Sequence, residues 1–297
     1  MNWRRILLLS IALVSVLGIT TWAVLQNSDL ATEFVRRQLN EAFAPRTEIA
    51  GTSINLEAGR LTITGFELAV PSHPERTLAH VATTTIDAQA DLFGVGFQLR
   101  HVVLQGPEFE CGPTWPTLTD LLKPRPTEPT PSQPLAIPVL EIKDGKALVH
   151  LCEGERALAC TNIDLTVVPL AGDPDKLQIR GELAVAEPVA RLKITGEVNI
   201  ATGAATITIT TEKVRCSQQV VAYLTRLAQV ALPDINIGGH IDSLGVTCSL
   251  PPTSASDRTP TFRIAAKCSD LHVEAKDLPS IVRHAKVAML LDTSGNH

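Results

Sequence analysis

Apolar and polar residues alternate strictly along several stretches of this chain, and one stretch does not alternate at all. That exception is residues 6–25, bounded by Ile6 and Leu25, which carry no charged side chain. As a helix such a run would rise roughly 30 Å, the thickness of a bilayer's hydrocarbon core, so it predicts one transmembrane anchor. Arg4 and Arg5 precede it and Asp29 is the first charge after it, which puts the short N-terminus in the cytoplasm and the remainder on the far side. A cleaved signal peptide is the rival reading, with Thr21-Trp22-Ala23 as a weak cleavage site, although a signal peptide's apolar core is normally shorter. Behind the span, Ser28 or Asp29 can cap a helix to about Phe43. Leu30, Phe34, Val35, Leu39, Ala42 and Phe43 recur in it at helical spacing, and Pro45 stops it. The helix either packs on the first sheet or lies along a membrane surface, with Arg36 and Arg37 near the head groups.

From Thr47 the period becomes two. Residues 52–56 and 60–64 alternate apolar with small polar side chains around a Glu57-Ala58-Gly59 turn, which predicts a hairpin with one apolar face. The alternation slips at Gly65-Phe66, as at a β-bulge. Further strands are expected at 86–92 and at 97–104, the latter closed by Gly106-Pro107. A short helix at 117–122 precedes a Pro-rich linker, residues 124–134. Strands then follow at 137–142, 146–152, 159–168, 176–185, 191–200 and 205–211, separated by short turns such as Asp144-Gly145, so the arrangement is an antiparallel meander. A helix is expected near 217–230, with more strand at 235–237, 240–250, 261–275 and 287–291; the Gly238-Gly239 pair permits a bulge. Four segments result: the anchor 1–27, an α+β region 28–123, the linker 124–134, and a β region 135–297.

Composition narrows the function classes. A net charge of −5 and 4% aromatic residues leave neither a basic surface nor a base-stacking platform, so nucleic acid is not expected as a partner. The six cysteines include Cys152 and Cys160, which flank the polar turn of a hairpin and could bridge it, with buried free thiols as the alternative. No spacing predicts a metal site, a cofactor or a catalytic constellation. His240 and Asp242 share a strand face without further ligands, and Asp87 and Asp91 share a solvent-facing one, so no enzyme is expected.

The run of residues 49–68 with its Gly59-Arg60 turn, then Ala88 to Phe93, then Val103-Leu-Gln-Gly106-Pro107, resembles the N-terminal region of the AsmA-like bacterial envelope proteins. The Pro-rich gap followed by a strand with an Asp144-Gly145 turn also resembles that family. The resemblance implies a bacterial inner-membrane protein, single-pass, with its body in the periplasm, taking part in phospholipid transport and outer-membrane biogenesis. It also implies a long twisted antiparallel sheet curled into a groove that holds acyl chains. A sheet with one apolar face must cover it, and a second sheet, a closed barrel or an apolar ligand could each do so. The candidate groove residues are the apolar members of the alternation: Ile54, Leu56, Leu61, Ile63, Ile86, Leu92, Ile142, Ile179, Ile194, Ile207 and Ile209. Ordinary sheet-on-sheet core is the alternative for each. Membrane phospholipids are the expected partners. A non-transporting assembly factor that binds an envelope protein at an exposed C-terminal strand is the other function the pattern allows.

Overall fold

Asp29 in the first turn of α1 (Ser28–Ala42) sits where the helix's positive end favours an acid. The computed structural model describes residues 28–43, 46–55, 57–70, 73–91, 96–111, 137–150, 157–186, 190–216, 235–255, 259–275 and 282–292. They are mainly β. The chain divides into two units, Met1–Phe109 with Thr114–Ala136, and Glu110–Pro113 with Ile137–His297.

In the first unit α1 packs on the sheet rather than lying free of it. Thr32 Oγ1 accepts the Thr52 backbone N–H at 3.0 Å, and Asn40 Oδ1 accepts the Thr47 N–H at 3.1 Å and its hydroxyl at 2.8 Å. The strands are β1 (Thr47–Glu48), β2 (Gly51–Asn55), β3 (Arg60–Val70), β4 (His73–Asp91) and β5 (Gly96–Cys111). Both β1 and β2 pair antiparallel with β3, which pairs with β4, and β4 with β5. The predicted hairpin is therefore present: Gly59 takes φ +61° in its turn, a conformation that a side chain would strain. At Gly65 the expected bulge is not a register shift. Thr64 stays opposite Thr83 and Phe66 opposite Val81, while the buried position moves from Ile63 to Leu68 because Gly65 takes φ +62°. The expected stop at Gly106-Pro107 is also corrected. Gly106 takes φ +58° and β5 continues to Cys111, with Pro107 almost fully buried opposite Val81. Leu68, Val70 and Leu78 form a core cluster, and Phe43 and Phe66 pack against it with ring centroids 6.1 Å apart.

The second unit is a meander of β6 (Val139–Val149), β7 (Leu158–Leu170), β8 (Asp173–Val185), β9 (Ala190–Asn199), β10 (Ala204–Cys216), β11 (Ile235–Leu250), β12 (Thr261–Ala275) and β13 (Val282–Asp292), each antiparallel to the next. It is open: among the described residues β13 pairs with β12 alone. The Asp144-Gly145 pair does not turn the chain. Asp144 takes φ +54° inside β6, its N–H donating to Asp164 Oδ1 at 3.0 Å, and the register with β7 shifts there. Asn162, Lys213 and Asp270 take the same left-handed conformation within β7, β10 and β12, a conformation that Asn and Asp adopt most readily among residues with a side chain. At Asp144, Asn162 and Lys213 the strand's inward-facing residues fall three apart instead of two, so apolar residues separated by two polar ones, such as Cys160 and Ile163, keep to one face. The register also shifts beside Gly238, where a bulge was expected.

Among the described residues no helix is long and apolar enough to cross a membrane. At 15 residues α1 rises only about 22 Å and carries Glu33, Arg36, Arg37 and Glu41. This finding overturns the expected location, a bacterial inner membrane crossed once with the body in the periplasm. Residues 6–25, on which that expectation rested, lie outside the described residues, as do the linker 124–134 and the helices expected at 117–122 and near 217–230.

Candidate functional site

Antiparallel pairing puts directly opposed residues on the same face of a sheet, and in the second unit the opposed residues of one face are almost all apolar. Ile194 of β9 lies opposite Gly181 of β8 and Ile209 of β10; Gly181 is opposite Leu165, and Leu165 opposite Ile142. From Ile209 the same row continues through Val246 and Ile264 to Leu291. At about 4.8 Å per strand the row is about 34 Å long. A second row beside it joins Ile179 and Ile207 on either side of Gly196. Neither row contains a charge. On the other face of β9, Arg191, Lys193, Thr195 and Glu197 are exposed, and Thr208 bonds hydroxyl to hydroxyl with Thr247 at 3.1 Å across β10 and β11.

Burial along this apolar face is graded. Ile264 is 1% exposed and Val214 and Ile241 are 2% exposed. Ile179, Ile194, Ile207 and Ile209, by contrast, are only half-buried. Ile142 is also half-buried and packs beside the cluster of Cys160, Ile163 and Val185. Burying an isoleucine completely is worth about 1.5–3 kcal/mol, so a face left half-wet holds free energy that an apolar ligand would release.

The first unit carries a shorter version. Ile54, Leu61 and Ile86 lie opposite one another across β2, β3 and β4, all half-buried. Ile63, one step along the strand in the row of Thr52 and Thr84, is buried at 5% exposure and belongs to the core beneath α1. Leu56 and Leu92 lie outside the described residues. The candidate residues thus fall into two separate sets, one in each unit.

The remaining sequence candidates resolve into ordinary contacts. The hairpin disulfide expected between Cys152 and Cys160 is not made: Cys160 is a buried free thiol, and Cys152 lies outside the described residues. Burial pushes the Cys160 thiol above its ordinary pKa, with nearby Cys111 adding to the effect. Asp242 accepts a hydrogen bond from Ser269 Oγ at 2.7 Å, and among the described residues no cluster of His, Cys, Asp and Glu could hold a metal ion. Asp87 accepts the Arg60 guanidinium at 2.7 and 3.2 Å, a bidentate pair that lowers the Asp87 pKa.

One residue on the apolar face went unnoticed in the sequence. Thr211 follows Ile207 and Ile209 at the same parity, and its register opposite Leu192 and Leu244 puts it on their face. The signal is a threonine in an isoleucine's slot, at the last residue of the strand expected at 205–211.

Compared with known proteins, the chain matches no protein-family model and no curated sequence.

Proposed function

We propose that this protein binds acyl-chain lipid, membrane phospholipid in the first place, on the apolar face of its open antiparallel sheet, and serves lipid transport and envelope biogenesis without catalysing a reaction. The observation that carries the reading is the row through Ile194 and Ile209: continuous across β6 to β13 in register, free of charge, and half-buried in its middle. A row about 34 Å long exceeds the roughly 15 Å that acyl chains occupy in one leaflet of a bilayer. Movement along it needs no chemistry, because an acyl chain passing from one strand to the next exchanges one aliphatic neighbour for another. The AsmA-like resemblance of the N-terminal motifs supports the same class of function, with the sheet acting as a groove.

The test is native mass spectrometry of the full chain purified in mild detergent. Phospholipid bound at stoichiometric level is the expected result. Ile207→Asp should lose that lipid while keeping the β-sheet circular dichroism of the wild type, because a carboxylate on a half-buried site can reach water but denies the site to an acyl chain. A lipid-free wild-type protein would sink the proposal.

A second reading, an assembly factor that takes a partner's strand at its sheet edge, is favoured by the position of β13, which pairs with β12 alone among the described residues. Lipid-free protein whose β13 amides gain hydrogen-exchange protection in a purified complex would support that reading instead.

A further inference from the structure

Thr211 is 6% exposed, and its Oγ1 is buried without a hydrogen-bond partner. Among the described residues it is the one hydroxyl on the apolar face of the second unit: the positions around it are Leu192, Leu244, Ile209 and Val214. A buried donor left unmade is a standing loss that natural cores rarely retain. A valine would fill the same space without that loss.

We infer that Thr211 is the recognition residue of this face and donates its hydroxyl proton to the ester carbonyl of a bound acyl lipid. The inference rests on the lipid reading above and names the ligand class. The acceptor must enter an apolar bed, so it must be neutral and attached to hydrocarbon; a carboxylate or phosphate would bring a charge that nothing on this face compensates. An acyl ester fits, with chain on one side of the carbonyl and glycerol on the other. The residue's position suits the role. Val214, on the same strand beyond Thr211, is 2% exposed, whereas Leu192 and Leu244 on either side and Ile209 before it are half-buried. Thr211 therefore stands where the covered part of the face meets the open part. Oγ1 is shut off from solvent, and a ligand would approach it from the side of Leu244 and Ile209, both half-buried, since Leu192 packs against the Cys160 cluster.

The experiment compares two lipids that differ only in the carbonyl: a dipalmitoyl phosphatidylcholine and its dihexadecyl ether analogue. Each competes with a neutral fluorescent probe, a pyrene-labelled alkane, for the delipidated full chain. The wild type should bind the diacyl lipid about fivefold more tightly, the worth of one neutral hydrogen bond. Thr211→Val should bind both lipids with the ether lipid's affinity, and Thr211→Ser should restore the preference. In the lipid-free protein Thr211→Val should raise the melting temperature, since the orphaned hydroxyl is gone. Equal binding of the two lipids by the wild type, a preference that survives in Thr211→Val, or a lowered melting temperature would each overturn the role of Thr211 and leave the apolar face intact as a lipid site. Failure of either lipid to displace the probe from the wild type would remove the lipid reading itself, and this inference with it.

Discussion

The side chain of Leu165 occupies the space that a Cβ on Gly181 would need. Its Cδ2 atom lies 2.5 Å from that point, and the two residues face each other across β7 and β8 in the middle of the apolar row. The Asp164 carbonyl closes the same space from the backbone side. A side chain at 181 would thus have to push apart two paired strands, and a backbone carbonyl cannot swing away as a side-chain tip can. Gly181→Ala should cost about 2–3 kcal/mol of stability, an overpacking penalty, read as a lower urea midpoint. A neutral effect would mean that the strands can part at no expense.

Burial along the row predicts two different costs for one substitution. Ile264→Ala, at 1% exposure, should destabilise by about 3–4 kcal/mol, and Ile194→Ala, half-buried, by about 1 kcal/mol. Equilibrium unfolding of the two variants checks this. Equal losses would show that the middle of the row is sealed core and not an open face.

Arg60 and Asp87 join β3 to β4 on the solvent side, and the guanidinium holds the Asp87 carboxyl below its usual range, first by hydrogen bonding and against a smaller opposing effect of burial. A depressed folded pKa means that the pair's contribution is complete above the unfolded carboxyl's value near 4 and disappears as pH falls through the folded value. Asp87→Asn should be slightly less stable than the wild type at pH 7, with the difference shrinking as pH falls below the unfolded carboxyl's value near 4. The effect is small because the side chains remain 51% and 28% exposed. Urea midpoints that differ as much at pH 2 as at pH 7 would rule out the pair as the cause.

Cys160 and Cys111 offer a chemical test of burial. Desolvation raises both thiol pKa values, with Glu110 adding to the effect at Cys111, but Cys160 is buried and Cys111 exposed. Iodoacetamide at pH 8 should alkylate Cys111 within minutes and leave Cys160 until denaturant is added, with peptide mass spectrometry assigning the sites. Native alkylation of Cys160 at the rate of Cys111 would contradict its place among Ile163 and Val185.

Much of the strand order was legible, because period-two alternation is a local property: β2 with β3, β7 through β10, and β12 follow directly from which residues are apolar. Where the sequence was misread, the cause was local too. Asp144-Gly145 and Gly106-Pro107 carry turn composition, yet both sit inside long strands, since a single left-handed residue can rephase a strand as easily as it can end one. Asp144, Asn162, Lys213 and Asp270 all do this, and at Asn162 and Asp270 a pair of polar residues between apolar ones marks it in the sequence.

Residue type and spacing by themselves determined that the chain is mostly β, which residues alternate, and where α1 begins. Only the tertiary structure decided which alternating residues are covered. Ile63 and Ile194 read identically along their strands, but Ile63 lies in the row that α1 caps at Thr52 and is buried, while Ile194, between Gly181 and Ile209, is half-buried. Burial depends on what the rest of the chain places above a residue, and register depends on pairing across strands. Neither is encoded in a residue's own neighbourhood: Thr211 is one threonine among several in its strand, and only its partners Leu192 and Leu244 place it among the isoleucines.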